Sequence, residues 1–411
     1  MTAATVLAVG YALHLLLRWL RRSKPGLSVG APVAAAFALR VGAAAAIGLI
    51  GIEELRGPDE VKFVNQAELI ADGPLISGVW IEALVRDLHK LVLAAQLGAL
   101  GSPDIALRIT HIGISVAGIA LLAAAAQELA GPRAAAVSAW LMALEPTSVF
   151  YSGVLHKEAT LFLAVGLVAL GGARLWRGRA SGWLLPIVAG CAVAGATRYY
   201  VGLFLAVAAA AILMHGWIRR APRGGRRALA VAVSTMLVVF VGIPAGWMLT
   251  TPQRLDRLSR LQASVERTSA NLPLEPVDFS SREGVATGLP RRISDVLVRP
   301  YPWQLGSTKQ RIGLFGTLVL LAALMWLATE LIMARGKIME RAGPLIYIGL
   351  MLLIAYSLSA ANAGTAFRHR TQLVSLGLCL AVVLLEQRAR QRAEVRARHV
   401  PGRPALAGMS R

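Results

Sequence analysis

The chain has 411 residues, of which 56% are hydrophobic and only 16% are charged, so it lacks the charged surface of a typical water-soluble domain. A net charge of +21 would suit a nucleic-acid-binding protein, but the basic residues lie in short loops between long apolar runs. A bilayer core about 30 Å thick requires roughly 20 apolar residues per helix, and a spanning helix satisfies its own backbone. The sequence therefore predicts an all-α, polytopic transmembrane bundle in contact with membrane lipid and excludes nucleic acid as a partner.

About eleven apolar segments are candidates for membrane spans, and residues 1–411 are predicted to form a single transmembrane domain. No segment resembles a separate soluble domain, and no internal repeat is evident. The predicted spans, in chain order, are 2–20, 32–52, 104–129, 134–151, 159–176, 183–198, 200–217, 228–249, 314–334, 344–361 and 373–386.

The placement of basic residues predicts the orientation of the bundle. The first apolar run is followed, not preceded, by its basic residues, which is the reverse of a cleaved signal peptide. With eleven spans, all the basic segments fall on one side, which is the cytoplasmic side by the positive-inside rule. We therefore predict a bacterial inner-membrane protein with an extracytoplasmic N-terminus and a basic cytoplasmic tail, residues 387–411. The other basic segments are 21–24, 174–179, 219–227 and 335–341.

The first large outer loop, residues 53–103, begins with an acidic pair. Asp59 and Glu60 come directly after the second predicted span, and we expect them to open a short helix at the membrane surface. The alternative is that Asp59 only caps this helix and complements its dipole. The apolar residues that follow at helical spacing are Phe63, Ala67 and Ile70.

The second half of the same loop, residues 80–100, has an amphipathic pattern. It predicts an interfacial helix that lies on the outer leaflet, and the alternative is a packed loop helix without a lipid role. Its polar face is predicted to consist of Glu82, Arg86, His89 and Lys90.

Several ionisable residues interrupt the apolar pattern. Basic side chains at the outer ends of spans oppose the positive-inside trend. Binding of an anionic group would explain their position, and the geometry of the arginine side chain matches that of a phosphate. The alternative is scattered snorkelling. These outer residues are Lys157, Arg198, Arg368 and Arg370. Arg40, Arg108 and Glu145 lie within predicted spans, where pairing and catalysis both remain open.

The second large outer loop, residues 250–312, is rich in arginine and ends in the segment Arg-Pro-Tyr-Pro-Trp, residues 299–303. Its prolines stiffen the chain and its aromatic residues suit the interface. Both cysteines, Cys191 and Cys379, lie in predicted spans, so a disulfide framework is not expected.

Together these segments resemble the bacterial GT-C superfamily of polytopic glycosyltransferases, which use polyprenyl-phosphate sugar donors. Asp59 and Glu60, followed by Phe63, Ala67 and Gly73, are similar to the family's acidic motif in the first outer loop. Segments 146–158, 299–303 and 364–370 resemble further segments of relatives in polysaccharide assembly. An extra span precedes the acidic motif here, and the separate outer domain of larger members is not recognisable.

The resemblance implies an inverting transfer of a sugar to an extracytoplasmic glycan, lipid or protein acceptor. Asp59, or Glu60, would act as general base, and no cofactor is implied. The acidic pair is compatible with a divalent ion, but no third ligand is evident, so no metal is predicted. The donor would be bound by Lys157, Arg198, Arg299, Trp303, Arg368 and Arg370.

Two other functions remain open from the sequence. An O-antigen-type polysaccharide polymerase or ligase would use the loop 250–312 instead of Asp59. A non-enzymatic transporter of lipid-linked sugars would show broken helices and repeat symmetry. Because Lys157, Arg198, Arg368 and Arg370 oppose the positive-inside bias, we further predict that they converge within one outward-opening cavity.

Overall fold

A computed structural model describes most of the chain, and the described residues form helices and no β-strand. These residues are 2–49, 53–74, 78–101, 104–179, 181–222, 224–237, 251–257, 259–260, 274, 277–299, 301, 303–304, 308–334, 337–360 and 362–398. The helices are α1 Thr2–Ser23, α2 Gly30–Leu49, α3 Glu53–Ala71, α4 Gly78–Arg86, α5 Leu88–Leu100, α6 Asp104–Ala130, α7 Pro132–Leu144, α8 Pro146–Ser152, α9 Glu158–Trp176, α10 Leu184–Thr197, α11 Tyr199–Arg220, α12 Gly225–Leu237, α13 Arg282–Val298, α14 Thr308–Met333, α15 Ile338–Ser359 and α16 Ala363–Arg398.

Among the described residues, eight helices are long and apolar enough to cross a membrane. They are α1, α2, α6, α9, α11, α14, α15 and α16. The fold is therefore that of a multi-pass, all-helical membrane protein, as the composition predicts. The count of about eleven is not confirmed. The predicted span 183–198 is a helix of 14 residues, α10, and the predicted span 228–249 is described only as far as Leu237.

The centre of the bundle is the pair α6 and α9, which are the most deeply buried of the candidate spans. Their backbones approach closely at two glycines. A Cβ at Gly166 would lie 2.9 Å from the carbonyl oxygen of Gly118, and one at Gly118 would lie 2.8 Å from the backbone of Phe162. Small residues at a helix crossing permit this contact, which is a common way to pack helices in lipid.

The predicted span 134–151 is not one helix, because the chain breaks at Glu145. Helix α7 ends at Leu144, and Glu145 has an extended backbone, which its position before Pro146 favours. The Glu145 carboxylate then accepts hydrogen bonds from the amides of Thr147 and Ser148, at 2.9 and 2.5 Å, and so caps α8. Glu145 is buried within the protein.

The break at Glu145 also explains why the charged side chain of Arg40 on α2 is buried. Its guanidinium donates to the carbonyls of Met142 and Ala143, both at 3.1 Å, and to the Ser148 and Ser152 hydroxyls at 2.8 and 3.2 Å. These carbonyls belong to the open C-terminal turn of α7, so Arg40 satisfies backbone acceptors that the helix itself cannot. Its role is to join α2 to the broken helix.

The first large loop differs from the prediction in two places. Helix α3 begins at Glu53, so Asp59 lies within it and neither opens nor caps it. The predicted helix over 80–100 is broken at Asp87, whose φ of −154° and ψ of 61° separate α4 from α5. On α5, His89 is fully buried, which contradicts its assignment to a polar face. On α4 the large apolar side chains Val79, Ile81, Leu84 and Val85 are exposed.

The last helix, α16, begins at Ala363 and continues without interruption through the segment 364–370, the predicted span 373–386 and the first part of the predicted tail as far as Arg398. Arg368 and Arg370 therefore lie on a helix and not in a loop. Residues 261–273 of the second outer loop fall outside the described residues. Its described helix, α13, packs against α15 and α16.

Candidate functional site

A cluster of ionisable side chains lies where five segments meet: α3, the break between α4 and α5, the start of α9, the corner between α10 and α11, and the start of α16. We call it the polar cluster and define it as Asp59, Asp87, His156, Lys157, Glu158, Arg198, Arg368 and His369. Its members come from five separate segments of the chain. All five meet at the end of the bundle where α6 and α9 begin.

Asp59 and Arg368 form the most accessible pair of the cluster. Arg368 Nη1 donates to Asp59 Oδ2 at 2.9 Å, and the two residues are 309 positions apart in the chain. The Asp59 side chain is 50% exposed and that of Arg368 is 15% exposed. Arg368 also approaches Nδ1 of His156 at 3.4 Å and the Thr365 hydroxyl at 3.3 Å. A carboxylate is thus held by an arginine and remains open to solvent.

His156 lies behind this pair, in the turn between α8 and α9. Burial lowers the pKa of His156 to about 4, so the ring is neutral at pH 7. A neutral imidazole can accept a hydrogen bond from Arg368, whereas a protonated ring would repel it. His156 therefore supports the arginine without competing for Asp59.

A second pair, Arg198 and Glu158, lies deeper. Arg198 Nη2 donates to Glu158 Oε1 at 2.9 Å, and Arg198 Nη1 lies 2.6 Å from Nε2 of His369. His369 stacks on Tyr356 with ring centroids 4.3 Å apart. Glu158 is the first residue of α9, where the helix dipole favours a carboxylate. The other Glu158 oxygen, Oε2, has no hydrogen-bond partner among the described residues.

Lys157 completes the cluster and links it to α5. Its ammonium lies 2.9 Å from Asp87 Oδ1, donates to the carbonyl of Thr197 at 3.4 Å and stands over the Phe63 ring at 5.3 Å. Burial lowers the pKa of Lys157, and Asp87 partly restores it. Lys157 and Asp87 together cover the side of the cluster nearest α5.

Arg370 does not join the other three predicted cations. It is buried and donates to the carbonyl of Val296 at 2.9 Å, to the Thr317 hydroxyl at 2.7 Å and to the carbonyl of Arg299. These partners lie on α13, on α14 and just after α13, so Arg370 fastens both helices to α16. The prediction of one cavity containing four outer cations is wrong for Arg370.

The two predicted donor-binding residues of the second loop have other neighbours. Arg299 Nε lies 2.9 Å from Asp295 Oδ1 on α13. Trp303 is 78% exposed and stacks on Tyr301 with ring centroids 4.9 Å apart. Their part in donor binding stays a prediction.

Glu60, the second member of the acidic pair, has a different environment from Asp59. It is buried and forms a two-point pair with Arg108, one arm of which measures 3.3 Å. Glu60 also accepts from the amide of Leu155 at 3.1 Å, and Arg108 donates to the carbonyl of Gly153 at 2.6 Å. Glu60 and Arg108 thus fix the turn between α8 and α9 that contains His156. The buried Arg108 therefore has a structural role as the partner of Glu60.

Four members of the polar cluster were not among the predicted site residues: Asp87, His156, Glu158 and His369. Three of them could have been found, because His156 and Glu158 flank Lys157, and His369 separates Arg368 from Arg370. Asp87 carries no such signal. Within the described part of the chain, no group of three or more His, Cys, Asp or Glu side chains is placed to hold a metal ion.

One cavity lies beside the polar cluster and another lies far from it. A void beside Glu158 has a volume of about 10 Å³, which is room for about one water molecule. A much larger cavity, of about 490 Å³, lies at the other end of α6 and α9.

The eight apolar helices and the polar cluster at one end of them define a multi-pass membrane protein with a charged site near the end of its bundle. No protein-family model, no curated protein and no solved structure matches the chain.

Proposed function

We propose that the chain is a membrane glycosyltransferase that moves a sugar from a polyprenyl-phosphate donor to an extracytoplasmic glycan, lipid or protein acceptor. The observation that carries the proposal is the pair of Asp59 and Arg368, a half-exposed carboxylate and an arginine within 2.9 Å of each other. Such a transfer requires a general base and, next to it, a cationic group that binds the donor phosphate. Asp59 is the proposed base, since Glu60 is already engaged by Arg108 and the Leu155 amide.

The transfer step follows from these two groups. An oxygen of Asp59 takes the proton of the acceptor hydroxyl while the acceptor oxygen attacks the anomeric carbon. The bond from this carbon to the phosphate oxygen breaks, and the phosphate leaves with the electron pair. Arg368 stabilises the charge that develops on the phosphate. A single base and direct displacement invert the configuration at the anomeric carbon.

The charges of the polar cluster fit an anionic donor. Its cations Lys157, Arg198 and Arg368 face the carboxylates Asp87, Glu158 and Asp59, and Lys90 adds a fourth cation 2.8 Å from Asp87. With neutral histidines the cluster and Lys90 carry a net charge of +1. A phosphate that takes over the donor groups of Arg368 leaves Asp59 free to meet the acceptor.

The proposed orientation, with the polar cluster outside the cytoplasm, is supported by the opposite end of the bundle. Basic segments that are far apart in sequence meet there. Arg177 donates to the carbonyl of Glu128 at 3.0 Å, and Arg219 donates to the carbonyl of Glu340 at 2.7 Å. Arg341 donates to Gln391 at 2.9 Å. One end of the bundle collects the basic loops, which is the pattern of a cytoplasmic face.

Binding of a polyprenyl phosphate to the purified protein, followed by native mass spectrometry, tests the proposal without knowledge of the sugar. Arg368→Gln is expected to weaken binding roughly tenfold, because a charge-assisted hydrogen bond is lost. Arg86→Gln is the matched control, since Arg86 is an exposed arginine whose pair, Glu82, lies on the same short helix α4. Equal binding by the two variants, or no binding by the unaltered protein, would contradict the proposal.

A further inference from the structure

The large cavity at the basic end of the bundle is separate from the polar cluster. It has a volume of about 490 Å³ and lies between the turn after α1, the turn from α6 to α7, the end of α9 and the last part of α16. Sites for small molecules commonly occupy about 300–1,000 Å³. The cavity is therefore large enough for a headgroup or a small anion.

The lining of the cavity is strongly cationic. Lys24, Arg177, Arg179 and Arg390 line it, and Glu128 is the one carboxylate among the lining residues. These side chains give the cavity a net charge of +3. Such an excess of positive charge attracts a polyanion.

The single carboxylate is already paired, with Lys24 of the cavity lining and with Arg174, which does not line the cavity. Glu128 is buried and lies 3.2 Å from Lys24 Nζ and 3.1 Å from Arg174 Nε. Arg179 is 3.8 Å away, which is beyond a hydrogen bond. Arg174 has 2% of its side chain exposed, whereas Arg179 has 48% exposed and faces the cavity mouth.

Two of the four cations lie against the turn from α6 to α7. Arg177 donates to the carbonyls of Glu128 and Leu129, the last turn of α6, and so closes that helix end. The Arg390 guanidinium lies directly against Gly131, so closely that a Cβ at position 131 would overlap it. Gly131 also has a φ of 92°, a conformation that favours glycine. No carboxylate among the described residues pairs with Arg390, and Arg177 and Arg390 repel each other electrostatically.

The cavity lies at the level of the membrane–water boundary, because it adjoins the ends of the spans α6 and α9. Trp19 and Trp183 lie near the same end with ring centroids 5.9 Å apart, and Arg174 stacks over Trp183 at 3.6 Å. Tryptophan side chains favour the headgroup region. A lipid phosphate can reach this depth, and so can a soluble one.

We propose that this cavity binds a phosphate-bearing anion through Arg179, Arg390 and Lys24, at the end of the bundle opposite the polar cluster. Arginine binds phosphate by two parallel hydrogen bonds, and basic cavities between helices at this depth suit anionic lipid headgroups. The site is independent of the proposed glycosyl transfer, because none of its residues belongs to the polar cluster.

Native mass spectrometry of the purified full-length protein tests the site, with phosphatidylglycerol, phosphatidylcholine and inorganic pyrophosphate as separate probes. Phosphatidylglycerol or pyrophosphate is expected to bind, and phosphatidylcholine is expected to bind more weakly because its headgroup has no net charge. Competition between phosphatidylglycerol and pyrophosphate indicates one shared phosphate site. Binding of only one of them identifies the source of the phosphate, and both results support the proposal.

The double variant Arg179→Gln with Arg390→Gln is expected to bind the anionic probe at least about tenfold more weakly, the equivalent of one charge-assisted hydrogen bond. Both side chains are exposed, so the fold is expected to persist, and elution as a single species on size exclusion checks it. The matched control is Arg226→Gln with Arg392→Gln, which removes two exposed arginines that do not line the cavity. Equal binding by the two double variants, or equal binding of phosphatidylcholine and phosphatidylglycerol, would overturn the proposal.

Discussion

Replacement of Glu60 by glutamine is expected to destabilise the protein strongly, although it changes only one atom of the side chain. The carboxylate is 3% exposed and holds both arms of Arg108, which is 1% exposed, as well as the amide of Leu155. In Glu60→Gln, Arg108 keeps the carbonyl of Gly153 and the partly exposed Asp104. Removal of one partner of a buried ion pair costs about 3–5 kcal/mol when the other charge is left unpaired, so we expect a loss of about 3 kcal/mol or less here, because Arg108 keeps Asp104.

Two matched carboxylate-to-amide changes isolate burial as the cause. Glu82→Gln removes the partner of Arg86 in an exposed pair, for which about 0.3–0.5 kcal/mol is typical. Asp59→Asn, next to Glu60 in the chain, removes the half-exposed partner of Arg368 and is expected to cost less than about 1 kcal/mol. Thermal unfolding in detergent, followed by tryptophan fluorescence, ranks the three. The reasoning fails if Glu60→Gln unfolds at the same temperature as Glu82→Gln.

Two further predictions concern the turn at His156 and the helix crossing at Gly166. The pKa of His156 is lowered to about 4 in the fold against 6.5 in the unfolded chain, so the unfolded state binds the extra proton as the pH falls between these values. Stability should decline by about 3 kcal/mol over that window, and His156→Gln should lose this part of the decline in pH-dependent thermal unfolding. Gly166→Leu should abolish monodisperse elution on size exclusion, because its Cβ would lie 2.9 Å from the Gly118 carbonyl oxygen. Gly349→Leu, where nothing lies within 4 Å of the added Cβ, should elute normally.

Long apolar runs were sufficient to predict the architecture. Eight helices of the described chain are long and apolar enough to span a membrane, and each of them overlaps a predicted span. The runs 134–151 and 183–198 were also predicted as spans, but the first is split at Glu145 and the second forms a short helix. Hydropathy measures composition and does not register a proline-directed break.

The candidate site was predicted in part. Lys157, Arg198 and Arg368 oppose the charge bias of the membrane, and the structure brings them into one cluster with Asp59. Arg370 has the same sequence signal but lies two positions from Arg368 on one helix, so the two side chains leave α16 in different directions.

The sequence did not predict which charged residues pair with each other in the structure. Glu60 and Asp59 are adjacent and chemically similar, yet one is buried against Arg108 and the other is half exposed. The difference depends on contacts with residues 48 and 309 positions away in the chain. Local spacing carries no information about partners at such separations.

The most direct test of the proposed function is the activity of Asp59→Asn in cells that lack the native chain. Lipid-linked sugars and surface glycans would be measured by mass spectrometry in cells that produce the unaltered protein, Asp59→Asn or the control Glu82→Gln at equal levels. The account predicts that Asp59→Asn accumulates the polyprenyl-linked donor and lacks the glycan product, because asparagine cannot accept the acceptor proton. Glu82→Gln is expected to match the unaltered protein. Normal product from Asp59→Asn would contradict the assignment of Asp59 as the general base.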